Sequence, residues 1–167
     1  NDYGMDPITL GATIAAAMEM VQRGVITEKQ VGRELAWGSA EALLKLTEDT
    51  AFRRGFGDEL AEGSARMTAK HKAGELFMGV RGQEFPAYDP RAIQRMGLAY
   101  ATSNRGACHL KAYMVAPEIL GIPVKMDPWV TQGKAEMTRA FQDITAVVDS
   151  SGLCLFLTFG VTVEDML

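Results

Sequence analysis

The sequence has few of the residues that usually announce a self-contained chemical site. Its 167 residues include two Cys and two His. No Cys-x-x-Cys and no His-x-x-x-His occurs, so a zinc or iron–sulfur site built wholly from this stretch is not expected. Two thiols are also too few for a disulfide framework, and a reducing, cytoplasmic compartment is the default expectation. There is no apolar run of the roughly 20 residues that a bilayer requires, and no basic-then-apolar leader opens the chain. The net charge is −4 and the 17 Lys and Arg are scattered, which argues against a nucleic-acid surface. No Gly-rich phosphate loop and no nucleophile elbow is found. Repeats of fixed period, low-complexity tracts and long linkers are absent.

What is present is enough for a core. Hydrophobic residues make up 47% of the chain, and the apolar positions recur at helical spacing. Asp6-Pro7 reads as a cap followed by a first-turn proline, opening a helix from Ile8 to Arg23 that Gly24 ends. Its small and apolar run Ala12 to Ala17 predicts burial nearly all round. Thr27-Glu28-Lys29-Gln30 reads as a capping box. Further helices are expected from Gly38 to Arg54, from Glu59 to about His71, from Arg91 to about Thr102 behind Asp89-Pro90, and from Lys134 to Val148 behind Asp127-Pro128. On that last helix Ala140, Phe141, Ile144 and Val148 form the expected inner face. Gly74 to Pro86 breaks the pattern and leaves room for a short strand, and Pro117 to Met126 reads as irregular. The fold class is all-α: an irregular multi-helix body with loops between helices and at most a short strand. The ten methionines read as core filler rather than ligands.

Two loops share a frame. Asn1-Asp2-Tyr3-Gly4-Met5-Asp6 and Asp149-Ser150-Ser151-Gly152-Leu153-Cys154 both read Asx-x-x-Gly-apolar-(Asp/Cys). A glycine there lets backbone approach a ligand closely, and the Asx side chain can hold its polar atoms. Two copies suggest a ligand with two similar halves, although Asx-x-x-Gly is also an ordinary turn pattern. Cys154 is a candidate metal or cluster ligand, against the plainer reading of a buried structural thiol. His109 sits in a helix break beside Cys108, near Arg105 and Lys111. Neighbouring cations would hold its ring neutral, suited to hydrogen bonding with a carbonyl or oxo group. Glu84, Tyr88 and Asp89 form a third polar patch, whose plain reading is loop plus helix cap. Since the chain opens on Asn1 inside one of the two loops, it is expected to be a fragment of a longer protein.

These residues resemble a known family. The runs Tyr3-Gly4-Met5-Asp6-Pro7-Ile8, Glu84-Phe85-Pro86-Ala87-Tyr88-Asp89-Pro90-Arg91, Gly97 to Leu110, Pro117 to Pro123 and Asp149 to Cys154 are similar, in order, to the helical C-terminal region of aldehyde ferredoxin oxidoreductases. The resemblance covers nearly the whole chain. It implies a tungsten or molybdenum ion held by the dithiolenes of two pterins, a [4Fe–4S] cluster beside them, and an N-terminal β domain that lies outside this sequence. It implies that Asn1, Asp6, Asp149, Gly152, Leu153 and Lys111 bind the pterins. Cys154 would be the last cluster ligand, the other three lying outside this stretch, and His109 the catalytic residue near the metal. Two departures stand out: Asn1 where Asp is usual, which loses a charge but keeps hydrogen-bonding capacity, and Met5 where Leu is usual.

The implied reaction oxidises an aldehyde to a carboxylic acid and passes electrons singly to ferredoxin, with no nucleic-acid or membrane partner. The residues leave open the substrate, tungsten against molybdenum, and a homo-oligomer. They treat 1–167 as one helical region with room for two lobes. The competing expectations are an inactive helical scaffold or interaction domain of the same fold, and a thiol redox sensor using Cys108 or Cys154.

Overall fold

The computed structural model describes residues 1–159. It divides into two compact units, Asn1–Ala87 and a second from Tyr88 onward.

The first unit is built on α1 (Pro7–Gln22). Asp6 caps it, its Oδ1 accepting from the backbone of Ile8 at 2.8 Å and Thr9 at 3.4 Å. Ile14, Ala16, Ala17, Met18 and Met20 are buried in the core, as the Ala- and Met-rich run predicts. A short α2 (Glu28–Val31) follows behind the capping box expected at Thr27 and Gln30, both halves of which are formed. Next come α3 (Ala40–Ala51), α4 (Gly57–Leu60) and α5 (Ser64–Lys70). Leu46, Leu60 and Met67 bring these helices onto α1. Each such side chain contributes roughly 1.5–3 kcal/mol by leaving water. A hairpin of β1 (Gly79–Val80) and β2 (Gln83–Glu84) runs antiparallel, pairing Gly79 with Glu84 and Val80 with Gln83.

One long helix from Glu59 to His71 does not form. Gly63 takes a positive φ of +82°, outside any helical conformation, and divides it into α4 and α5. The start of α5 is held instead by Glu84, whose buried Oε1 accepts from the Ser64 backbone at 3.0 Å and hydroxyl at 2.7 Å. The apolar face is nonetheless continuous across the break, since Leu60, Ser64 and Met67 are all buried.

The second unit holds α6 (Gln94–Thr102) and α7 (Lys134–Ser150), which pack together and against a 3₁₀ turn at His109–Lys111. α6 begins later than the expected Arg91, whereas α7 starts at Lys134 as expected. Asp89 closes a turn by accepting from the Arg91 backbone at 2.8 Å and pairing with its guanidinium, so the helix starts at Gln94. Asp127 likewise accepts from the Trp129 backbone at 2.9 Å, and α7 starts at Lys134 behind Gly133. The inner positions of α7 are Thr138, Thr145 and Val148, with Ala140 exposed. Pro117 is not irregular: Ala116–Leu120 is a π-helical turn. It carries Glu118, whose carboxylate pairs with Arg95 at 2.8 Å, both side chains being almost fully buried. Arg95 also donates to the carbonyls of Asp127 at 2.9 Å and Val130 at 3.4 Å, tying the loop before α7 to α6.

Among the described residues no helix is long and apolar enough to cross a membrane.

Candidate functional site

The His109–Lys111 turn is fixed from two sides. Cys108 and Ala112, which flank it, are buried, and the Thr145 hydroxyl on α7 donates to the Lys111 carbonyl at 3.0 Å. The turn presents two of the predicted site residues. Lys111 forms an ion pair with Asp149, the first residue of the second loop, so two positions 38 apart in sequence meet at one place. Both side chains are partly exposed, and such a pair contributes little to stability; its consequence is to fix where the ammonium and carboxylate stand.

His109 is half-buried, with its ring against two tyrosines. Its centroid lies 5.3 Å from that of Tyr88 and 6.3 Å from that of Tyr113. The tyrosine rings meet edge to face at 5.6 Å, and their hydroxyl oxygens are 3.0 Å apart. Burial pushes the His109 pKa down, and the Arg105 cation lowers it further. The imidazole is therefore neutral at neutral pH, as the sequence suggests, but for a different first reason: burial outweighs the neighbouring cation, and Lys111 is occupied with Asp149. Burial and the hydrogen bond with Tyr88 push the Tyr113 phenol up to about 12. The buried Tyr100 hydroxyl donates to the Tyr88 carbonyl at 3.0 Å and fixes that backbone from α6.

The second loop is not a loop throughout. Asp149 and Ser150 are the last residues of α7, and the chain leaves the helix through Ser151 and Gly152. Gly152 has φ +74° and its N–H donates to the Asp149 carbonyl at 3.2 Å. Leu153 and Cys154 are exposed, just before a 3₁₀ turn at Leu155–Phe159. The plain reading of Cys154 as a buried thiol is thus incorrect, whereas Cys108 is buried.

In the first unit, Gly4 repeats that turn: φ is +71° and its N–H donates to the Asn1 carbonyl at 2.7 Å. Asp6 commits one carboxylate oxygen to capping α1. Beside this loop is a cavity of about 680 Å³, lined among others by Tyr3, Met5, Asp6, Thr13, Arg53 and Glu84. Glu84, which the sequence left without a role, thus serves both as the anchor of α5 and as a wall of this cavity. A Cβ added to Gly4 or Gly152 would meet nothing within 4 Å. Packing does not demand glycine at either place; the left-handed backbone does.

The two turns offer carbonyls, N–H groups, Asx side chains and, at Cys154, an exposed sulfur. Such donors suit the amide and amine edges of a pterin and a soft metal cluster. Among the described residues, no three His, Cys, Asp or Glu side chains converge on one point to hold a metal.

Sequence reasoning singled out His109 but not Tyr113, and it gave Tyr88 only a place in a loop patch. Tyr113 stands at i+4 from His109, a helical spacing that could have marked the contact, whereas Tyr88 has no such signal.

Comparison with known proteins gives a match over the whole chain. Residues 1–167 match the family model described as aldehyde ferredoxin oxidoreductase, domains 2 and 3. The chain is 50% identical to a tungsten-containing aldehyde ferredoxin oxidoreductase of Pyrococcus horikoshii over 99% of its length, covering 28% of that protein. It is 46% identical to the enzyme of the same description in Thermococcus kodakarensis, again over 99% of the chain and 28% of the relative. A more distant similarity, 37% over 42% of the chain and 11% of the relative, is to an aliphatic sulfonate oxidoreductase, WOR-like subunit, of Pyrococcus furiosus. The chain spans 28% of the length of its tungsten-containing relatives, and it belongs to the aldehyde ferredoxin oxidoreductase family, as the family's second and third domains.

Proposed function

We propose that this chain is the cofactor-holding helical part of an enzyme that oxidises an aldehyde to a carboxylic acid and delivers the electrons to ferredoxin. The observation that carries the reading is the constellation in the second unit. A neutral, half-buried His109 and a Lys111 paired with Asp149 stand on one turn, and Asp149 leads directly into Cys154. The relatives named above are tungsten-containing, and the complete protein would hold tungsten or molybdenum on two pterins together with a [4Fe–4S] cluster. When bound, these groups would supply two-electron oxidation chemistry and one-electron transfer.

This chain's own residues would do four things. The turns at Asn1–Asp6 and Asp149–Cys154 would each present backbone and Asx groups to a pterin, with Gly152 and Leu153 shaping the second turn. Asn1 would serve there through its amide. Lys111 would offer a cation to the pterin region, oriented by Asp149. Cys154 would supply one cluster thiolate, the other three coming from elsewhere in the complete protein. His109, neutral at its working pH, would accept a hydrogen bond from, or donate one to, the oxygen of the aldehyde or its hydrate. The protein's contribution is placement and electrostatics around a cofactor that does the difficult chemistry.

The test is aldehyde-dependent reduction of ferredoxin by the complete protein, prepared anaerobically, against its His109→Ala variant. Oxidation by the parent and a fall of about 10²-fold or more in the variant is expected for a proton-handling group at the site. A parent that holds metal yet oxidises no aldehyde would leave the fold without this reaction. A parent that binds neither metal nor pterin would favour an inactive scaffold.

A further inference from the structure

The tyrosine pair beside His109 has a geometry that helix packing alone does not require. Tyr88 lies at the start of the second unit and Tyr113 follows the His109–Lys111 turn, so the hydroxyl pair spans 25 residues. Tyr88 is held twice. Its carbonyl accepts from the Tyr100 hydroxyl, and its own hydroxyl meets that of Tyr113 at 3.0 Å. Tyr113 is itself immobilised. Ala112 and Met114 on either side are fully buried, and its carbonyl accepts from the Ala116 backbone at 3.1 Å at the head of the π-helical turn. That turn is tied down by the buried Glu118–Arg95 pair. The rings of Tyr88 and Tyr113 both face His109.

We propose that Tyr113 is a positioning residue: through its hydroxyl it fixes the Tyr88 ring and hydroxyl beside His109, so that these two groups present one constant arrangement to the substrate. The inference rests on the reading that His109 acts on substrate. Because the phenol of Tyr113 keeps its proton at any working pH, the hydroxyl pair persists across the range in which His109 changes charge. Arg105 and Lys111 flank His109 in sequence, and Asp89 and Arg91 follow Tyr88. Lys111 is paired with Asp149 and Asp89 with Arg91.

The experiment uses the complete, metal-loaded protein. Tyr113→Phe keeps the ring and removes only the hydroxyl. It should lower kcat about 10- to 100-fold, the scale of a 1 Å misplacement. KM should stay within about 2-fold of the parent, because the lost contact is not to substrate binding as such. A crystal structure of the variant should show the Tyr88 ring displaced from its 5.3 Å packing on His109, with metal content unchanged. Tyr88→Phe removes the same hydroxyl pair from the other side. In that background Tyr113→Phe should have no further effect on kcat. A kcat within about 2-fold of the parent, an undisplaced Tyr88, or independent multiplicative effects of the two substitutions would each overturn the proposal. If His109→Ala is inactive while Tyr113→Phe is normal, only this inference fails. If His109→Ala is fully active, the parent reading falls and takes this inference with it.

Discussion

The stretches Asn1–Asp6 and Asp149–Cys154 spell nearly the same pattern and fold the same turn, one ahead of α1 and the other at the end of α7. In each, the glycine takes a left-handed backbone, φ +71° and +74°, and its N–H reaches the carbonyl of the Asx three residues earlier, at 2.7 and 3.2 Å. The first turn runs into α1, so its final acid becomes the helix cap. The second runs out of α7, so its first acid belongs to the last helical turn and its final residue, Cys154, stands exposed beyond it. One backbone device thus carries two chemistries. Where the turn meets a helix N-terminus, a carboxylate is favoured by the free N–H groups and the dipole. Where it leaves a helix C-terminus, that reason for an acid at the last position is gone, and a sulfur can stand there.

The largest separation between the two turns should come from their last residues. In the complete protein Cys154→Ser should remove the cluster, with a loss of about four iron atoms per chain by elemental analysis. Asp6→Ala should leave iron in place. Retention of full iron in Cys154→Ser would erase the distinction.

The second contrast is between the ion pairs of the two units. In the first unit Arg53, Asp58 and Glu62 pair in the open, and removing such a partner should leave stability nearly unchanged. Glu118→Gln in the second unit leaves Arg95 buried with a weakened partner. Because Arg95 Nε and Glu118 Oε2 already find no hydrogen-bond partner among the described residues, the cost should approach the roughly 3–5 kcal/mol of a broken buried pair. Denaturant unfolding reads both, and equal effects would contradict the difference in burial.

Smaller still, Asp6→Ala should cost about 1 kcal/mol as a lost cap. Gly4→Ala and Gly152→Ala should each cost about 1–2 kcal/mol for a left-handed non-glycine residue. Their open surroundings predict similar values for the two glycines. A far larger loss at one of them in the cofactor-loaded protein, vanishing when cofactor is removed, would reveal a ligand packed against that turn.

The smallest effect concerns His109. Its folded pKa lies below its unfolded value, because burial and Arg105 oppose the charge. Its neutral form therefore supports folding above about pH 6.5, and that support is lost as pH falls through the lowered folded pKa. The Tm difference between parent and His109→Asn should shrink or reverse over that descent. A constant difference would mean the ring is not desolvated.

Much of this was legible in the sequence where a local device determines the structure. Asp6-Pro7 and the Thr27–Gln30 capping box start helices as read, because cap, first turn and apolar run agree. Asp89-Pro90 looks the same, yet its helix starts only at Gln94. Asp89 accepts from the backbone two residues on, as Asp6 does, but it also holds the Arg91 guanidinium in a turn ahead of the helix. Gly63 breaks a helix whose apolar spacing runs straight through it, because Glu84, 20 residues away, supplies the new N-terminus with an acceptor. The site follows the same division. The repeated turn and the setting of His109 are local and could be read. The Lys111–Asp149 pair and the Tyr88–Tyr113 contact are brought about by α6 and α7 packing around the 109–111 turn, and no spacing in the chain announces them.

The measurement that bears most directly on the central claim is the metal and iron content of the complete protein purified without oxygen from a host able to make the cofactor. The account predicts about one tungsten or molybdenum and about four iron atoms per chain. Absence of both would contradict it, leaving the paired turns as ordinary helix ends and Cys154 as a bystander thiol.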